Sequence, residues 1–254
     1  ILKKEFLKIK VVHIKSPFLP YSETFIYNYI AGHNAFTPFV LSETQLNHDQ
    51  FPIKNITLHR KPNSWYEPIL SFTRNWLAGK IQRELFFKNF YINSLKLLNP
   101  DVIHIHFGVP GLLLSNIIKK LRYPLLTSFY GTDLSKIPFL LGKNVYEKNY
   151  LFENGQIFTA EGNQALGALT NLGCPKEKAE LLRIGIDFQN YKFINRTKKE
   201  DEPLKILFCG RFIEKKGLKV AVKSVSQSIR MGNNIKFNII GDGPQKEEIK
   251  KLVN

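Results

Sequence analysis

An α/β fold is predicted, with parallel strands covered by helices and arranged in two successive lobes. Three observations predict it. Short apolar runs alternate with longer helical stretches along the 254 residues, the order that builds a parallel sheet with helices on its faces. Five of the runs end in glycine or a polar turn segment, where such sheets bind ligands. After a charged stretch the alternation starts again.

Taken in order, residues 7–15 (LKIKVVHIK) read as the first strand. Ser22 then stands in the N-cap position of a helix through TFIYNYI, because a hydroxyl there accepts from an unpaired first-turn N–H. FVLSE (39–43) and NITLHR (55–60) are the second and third strands. From Ile69 to Leu98 the pattern is helical and reads as two helices, with Leu77, Ile81 and Leu85 four apart. VIHIHF (102–107) is a buried strand running into Gly108, and LLLSNIIKKL (112–121) an amphipathic helix. PLLTSFYG (124–131) and QIFTA (156–160) are further strands. ALGALTNL (165–172) is a helix closed by Gly173 and Pro175, and LLRIGID (181–187) ends the first lobe.

Residues 188–202, ending KKEDEP, read as a linker. This divides the chain into 1–202, linker included, and 203–254. In the second part KILFCG (205–210) and IKFNIIG (235–241) are strands, LKVAVKSVSQSI (218–229) is a helix, and another helix starts near Gln245. Two strands are too few for a Rossmann-like sheet covered on both faces, so the second domain is expected to be incomplete here.

Composition narrows the function. Basic residues number 37 against 21 acidic, a net charge of +16. That surplus favours phosphorylated ligands or an anionic membrane surface. The lysines are scattered and no nucleic-acid module is present, so nucleic acid is not expected as a partner. The two cysteines, Cys174 and Cys209, make no disulfide framework and fit a cytoplasmic protein. No apolar run approaches the roughly 18 residues of a membrane span. The chain begins at Ile1 rather than methionine, and its charged start is unlike a signal peptide. The stretch 74–96 mixes Trp76, Phe86, Phe87, Phe90 and Tyr91 with Arg74, Lys80, Arg83, Lys88 and Lys96. It reads as a helix packed on the core, or as a face resting on a membrane.

The sharpest chemical segment is GRFIEKKG (210–217). Gly210 lets backbone approach a ligand. Arg211 and Lys216 lie in a loop leading to a helix start, where anions are favoured. A guanidinium fork and a compact ammonium suit phosphate oxygens. His104 and His106 are expected to face opposite sides of their strand, His104 as a core residue and His106, beside Gly108, as the site candidate. With no third ligand at a suitable spacing, no metal is expected. Asp133, after Tyr130-Gly131-Thr132, could bond a sugar hydroxyl or cap the next helix. Ser22, Glu23 and Thr24 put a helix start at the end of the first strand.

In this order SETF (22–25), VIHIHFG (102–108), SFYGTD (128–133), LGCPKEKAELLRIGID (172–187), LFCGRFIEKKG (207–217) and IIGDGP (239–244) resemble the retaining GT-B glycosyltransferases of family 4. The likeness is to the colanic acid and exopolysaccharide branch, and it spans nearly the whole chain. It implies two Rossmann-like domains with a nucleotide-sugar donor held between them, retention at the anomeric carbon, and no cofactor or essential metal. Arg211 and Lys216 match the family's pair on the donor diphosphate. Gly210, Gly241 and Gly243 match its nucleotide loops. The first domain would bind a saccharide or lipid-linked saccharide acceptor, with Ser22, Glu23, Thr24 and the His106 loop at the cleft and Tyr130 and Asp133 near the reacting sugar. The net charge of +16 also suggests a place on the inner face of the plasma membrane.

Two departures stand out. The family often has histidine where this chain has Tyr130, which stays neutral near pH 7. The family's Glu-x7-Glu pair follows the GDGP segment, whereas this sequence stops at Asn254. The recorded chain is therefore expected to be inactive by itself. Glu153 and Glu161 have that spacing but lie in the first domain, a coincidence. Two other classes are weighed beside the enzyme: a non-enzymatic polyanion binder, and a degenerate remnant that binds acceptor only.

Overall fold

A computed structural model describes residues 8–31, 35–59, 76–186, 188, 191–195, 197 and 201–253, with the backbone alone over 76–86. The start of the long helical stretch, Arg74, and the side chains of Trp76, Leu77, Lys80, Ile81, Arg83, Leu85 and Phe86 lie outside the described residues, as do parts of 188–202. The chain forms two compact units, Ile1–Asp187 and Phe188–Asn254, so that segment 188–202 falls with the second.

The first unit is built on a seven-stranded sheet. Its strands are β1 (Ile9–Ile14), β2 (Phe36–Ser42), β3 (Ile56–Leu58), β4 (Val102–His106), β5 (Leu125–Phe129), β6 (Ile157–Ala160) and β7 (Ala179–Leu181). All pair in parallel, in the order β3-β2-β1-β4-β5-β6-β7. The order reverses at β1/β4, and such a switch point opens a crevice at the strand tips.

Helices cover both faces. One face carries Val12, Ile14, Ile103, Ile105 and Phe129. Against it pack Tyr91 and Leu95 of α2 (Trp76–Leu98) and Leu114 and Ile118 of α3 (Gly108–Leu121). Each helical pair is four apart, so both side chains point to the sheet. On the other side Ile26 and Ile30 of α1 (Thr24–Ala31) meet Phe18, Leu19 and Val40. Burying each such side chain stabilises by about 1.5–3 kcal/mol. Residues 76–98 form one helix, and the earlier part of the stretch expected to hold two helices, 69–75, lies outside the described residues.

Residues 131–154 hold four short helical segments that were not foreseen: α4 (Gly131–Leu134), α5 (Lys136–Leu141), α6 (Val145–Lys148) and α7 (Leu151–Asn154). None is long enough to show a period. Tertiary burial of Val145, Tyr146, Leu151 and Phe152 in the main core holds them. α8 (Asn163–Asn171) completes the unit.

In the second unit β8 (Leu204–Cys209) and β9 (Ile235–Ile240) pair in parallel. Phe208, Phe237 and Ile239 face a core of Phe212, Leu218, Val222 and Ile249. Leu218 and Val222 come from α9 (Leu218–Arg230), and Ile249 from α10 (Lys246–Val253). The opposite face shows Leu207 at 61% and Ile240 at 58% exposed, with Cys209 beside them. No helix among the described residues is long and apolar enough to cross a membrane.

Candidate active site

At the tips of β1, β4, β5 and β6, a cluster of buried polar side chains replaces the apolar core. It starts from sheet register. β1 and β4 pair with His13 opposite His104, so both rings project from one face. His106 projects from that face too, because residues two apart on a strand share a side. The expectation that His104 and His106 face opposite sides is thus overturned: their rings stack with centroids 4.2 Å apart. A third imidazole that sequence spacing did not suggest, His13, joins them, its Nδ1 3.1 Å from His106 Nε2. The three rings could offer ligand atoms lying within 4.8 Å of one another. Besides the His13–His106 contact, two more of their nitrogens have hydrogen-bond partners. His104 Nε2 is 2.7 Å from Ser128 Oγ, and His106 Nδ1 is 3.0 Å from Tyr130 Oη. The expectation that no third ligand stands at a suitable spacing is thus overturned, because His13 arrives from β1 beside His104 and His106. Ser128 Oγ in turn meets Thr159 Oγ1 at 2.7 Å, so the network crosses to β6.

Burial holds His104 and His106 well below the ordinary imidazole range, and the neighbouring His13 adds to the effect in both. Both rings are therefore neutral near pH 7. Burial likewise raises the Tyr130 phenol, leaving it a neutral hydroxyl. Tyr130 is tilted against Phe107 and Phe25, with ring centroids at 4.6 and 5.0 Å. His106 therefore belongs to the cluster, and so does Tyr130.

Asp133 is 1% exposed. Its Oδ2 accepts from the Tyr130 N–H at 3.0 Å, while its own N–H donates to the Tyr130 carbonyl at 2.9 Å. The capping reading holds, since these bonds start α4. Burial also pushes the carboxyl up to about 7, against the pull of backbone donors at Tyr130 and Gly108. Gly108 opens α3 hard against aromatic rings. A Cβ there would meet Tyr146 at 2.7 Å and Phe129 at 2.8 Å.

The loop after β1 brings a charge that sequence reading missed. Lys15 is 5% exposed. Its Nζ pairs with Glu23 Oε2 at 2.9 Å, donates to the Pro17 carbonyl at 3.0 Å, and sits 4.9 Å from the Phe107 ring centroid. A buried ammonium is tolerable only with such partners. The signal was a lysine closing an apolar strand. Glu23 therefore stands at the strand tips. Ser22 does not cap the helix: it is exposed within a 3-10 turn, Tyr21–Glu23, that Pro20 introduces at φ −62°, and α1 starts at Thr24. Proline's fixed φ suits a helix entry and displaces the hydroxyl from the cap. Beside Tyr130 a small hollow is lined by Tyr29, Ser128, Thr159, Glu161 and Ile184, among others.

In the second unit the two glycine segments meet. Phe212 N–H donates to the Asp242 carbonyl at 2.8 Å, and Gln245 N–H to the Phe212 carbonyl at 3.1 Å. Gly241 has φ +149°, and a Cβ on it would lie 1.9 Å from the Gly210 carbonyl oxygen. Gly243 presses on the Phe212 backbone in the same way. Gly210, Gly241 and Gly243 thus form one tight junction at the strand tips. Arg211 and Lys216 are exposed beside it, Lys216 closing a 3-10 turn (Glu214–Lys216) just before α9. Among the described residues neither enters an ion pair.

Residues 189–254 match the family described as glycosyl transferases group 1. The protein named colanic acid biosynthesis glycosyltransferase WcaL, of Escherichia coli (strain K12), is 31% identical over 157 residues, covering 60% of this chain and 38% of its own length. The amylovoran biosynthesis glycosyltransferase AmsK of Erwinia amylovora is 29% identical over 157 residues, with the same two coverages. Among solved structures, Anabaena Alr3699/HepE in complex with UDP-glucose superposes with a TM-score of 0.66 at 13% identity, covering 96% of this chain and 65% of that one. The chain therefore spans well under half the length of the curated relatives it matches. These similarities bear out the resemblance to GT-B exopolysaccharide glycosyltransferases and the α/β fold of parallel strands.

Proposed function

We propose that the protein transfers a sugar, with retention, from a nucleotide-sugar donor to a saccharide or lipid-linked saccharide acceptor in cell-surface polysaccharide biosynthesis. The observation that carries this reading is the pair Arg211 and Lys216, exposed at the Gly210–Gly241–Gly243 junction and, among the described residues, in no ion pair. Arg211 would fork two phosphate oxygens, and Lys216 would add a point charge as the diphosphate departs. Gly241 and Gly243 keep that loop low, so that a nucleotide can lie against backbone. HepE, a structural neighbour, was solved with UDP-glucose, which supports a donor of that class.

In the first unit the Tyr130 hydroxyl would meet the reacting sugar, with His106 behind it on the phenol oxygen and Asp133 holding the Tyr130 backbone in place. Ser22, Glu23 and Thr24 would border the acceptor. Attack from the leaving-group face, assisted by the substrate itself, gives retention without an enzyme nucleophile. The reading requires no metal or cofactor, and nucleic acid is no part of it.

The test is a panel of nucleotide sugars offered to the protein as its gene encodes it. Arg211→Ala or Lys216→Ala lowers turnover by about 100-fold or more, the scale of losing one charge-stabilising donor. Unchanged turnover in both variants removes the pair from the site.

We place the protein in the cytoplasm, peripheral on the inner face of the membrane. Supporting this are the +16 charge and the α5 turn, where Phe139 is 87% exposed beside exposed Leu140 and Leu141, with Lys136 and Lys143 flanking. In a flotation assay the protein rises with vesicles rich in anionic lipid and not with neutral ones. Equal recovery on both removes the membrane from the reading.

A further inference from the structure

The strand-tip network contains a device that neither the family likeness nor the donor reading assigns. His106 is held between two partners. Its Nε2 lies 3.1 Å from His13 Nδ1, and its Nδ1 lies 3.0 Å from the Tyr130 hydroxyl. The ring is buried and neutral, and a neutral imidazole carries one N–H and one lone pair. Its two hydrogen bonds therefore cannot be chosen independently.

Only two proton arrangements satisfy both contacts. In the first, His106 donates from Nε2 to His13 Nδ1, and Tyr130 must donate its O–H to His106 Nδ1. In the second, His13 donates from Nδ1 to His106 Nε2, and His106 donates from Nδ1 to the Tyr130 oxygen. Both hold the same three protons. They differ in where the Tyr130 proton points: back onto His106 in the first, away from it in the second. Tyr130 lines a hollow with Ser128, Thr159 and Glu161, and Ser128 is a second hydrogen-bond partner of its hydroxyl.

We propose that His13 is a positioning residue: its bond to His106 selects the nitrogen on which His106 carries its proton, and thereby whether the Tyr130 hydroxyl donates to a ligand oxygen at the strand tips or only accepts from one. The idea that such a ligand is the reacting sugar rests on the function proposed above. The proton coupling itself does not.

The experiment uses the chain labelled with 15N-histidine. Ring 15N shifts separate an N–H nitrogen from one bearing a lone pair, and the six histidines are assigned by single substitutions. Two substitutions strain the relay from opposite ends. Tyr130→Phe removes the partner of Nδ1, and His13→Leu removes the partner of Nε2. A bare buried N–H costs more than a bare lone pair, because orphaned donors are the rarer defect. His106 is thus expected to carry its proton on Nε2 in Y130F and on Nδ1 in H13L, with circular dichroism showing native secondary structure in both. The same protonated nitrogen in both variants overturns the proposal. Should H13L not fold, Y130F decides alone through His13, whose Nδ1 meets His106 Nε2. His13 Nδ1 must then be the lone-pair nitrogen, and a proton found there overturns the coupling. This readout needs no substrate, so its failure leaves the Arg211 and Lys216 turnover test standing, and the reverse holds too.

Discussion

Replacing Asp133 by asparagine tests how the first unit tolerates a carboxyl in its interior. The side chain is 1% exposed, and burial raises it from 3.8 to about 7. The native state therefore binds a proton that the unfolded chain has already lost between those pH values. Stability must fall as pH rises through that window and level off above it. Each pH unit is worth about 1.4 kcal/mol, so the whole window is worth about 4 kcal/mol. An amide oxygen can still accept the Tyr130 N–H that Asp133 Oδ2 now accepts at 3.0 Å, but it has no proton to lose. Urea unfolding followed by far-ultraviolet circular dichroism, at half-unit steps from pH 4 to 8, gives the difference between D133N and wild type. That difference should grow in favour of D133N by about 4 kcal/mol across the series and stay flat beyond. Parallel pH profiles for the two proteins would refute the reasoning, because the carboxylate would then be solvated or paired.

Two further outcomes follow from the same packing. His104 and His106 are held neutral by burial, so the unfolded chain binds protons that the native state refuses once pH drops below the ordinary imidazole value of 6.5. Stability is complete above that value and falls on acidification, and His106→Gln should flatten this acid limb in the same urea series. Gly241→Ala places a methyl 1.9 Å from the Gly210 carbonyl at φ +149°, which should cost about 2–3 kcal/mol or more of second-unit stability. Amide exchange along β8 and β9 should speed up accordingly, and unaltered protection would show that the two loops part freely.

Much of the first unit was legible because its strands are dense in Val, Ile, Leu and Phe and its longer helices keep a four-residue spacing. What could not be read depended on neighbours distant in sequence. The turns of 131–154 take their shape from Tyr146 and Phe152 sinking beside Phe129, a contact that no local pattern encodes. The N-cap expected at Ser22 lost to Pro20, whose ring sets the entry angle two residues earlier. The misplacement of His104 and His106 was avoidable, since counting by two keeps side chains on one face. His13 was different: it becomes a partner only once β1 and β4 align in register, information that a single strand does not hold. Lys15 shows the same limit, because its worth depends on Glu23 arriving from the next turn. In the second unit, residue type and loop position single out Arg211 and Lys216, and both are exposed beside the glycine junction.

The uncovered side of the β8–β9 pair has a practical consequence for anyone purifying this polypeptide. Leu207 and Ile240 give two molecules a greasy surface on which to meet, and the accessible sulfur of Cys209 lies on that same surface. Encounters there would bring sulfurs from separate molecules together, and in aerated buffer they would become covalently joined. Fresh thiol reductant, or serine at position 209, should keep the sample monodisperse where dilution alone would not.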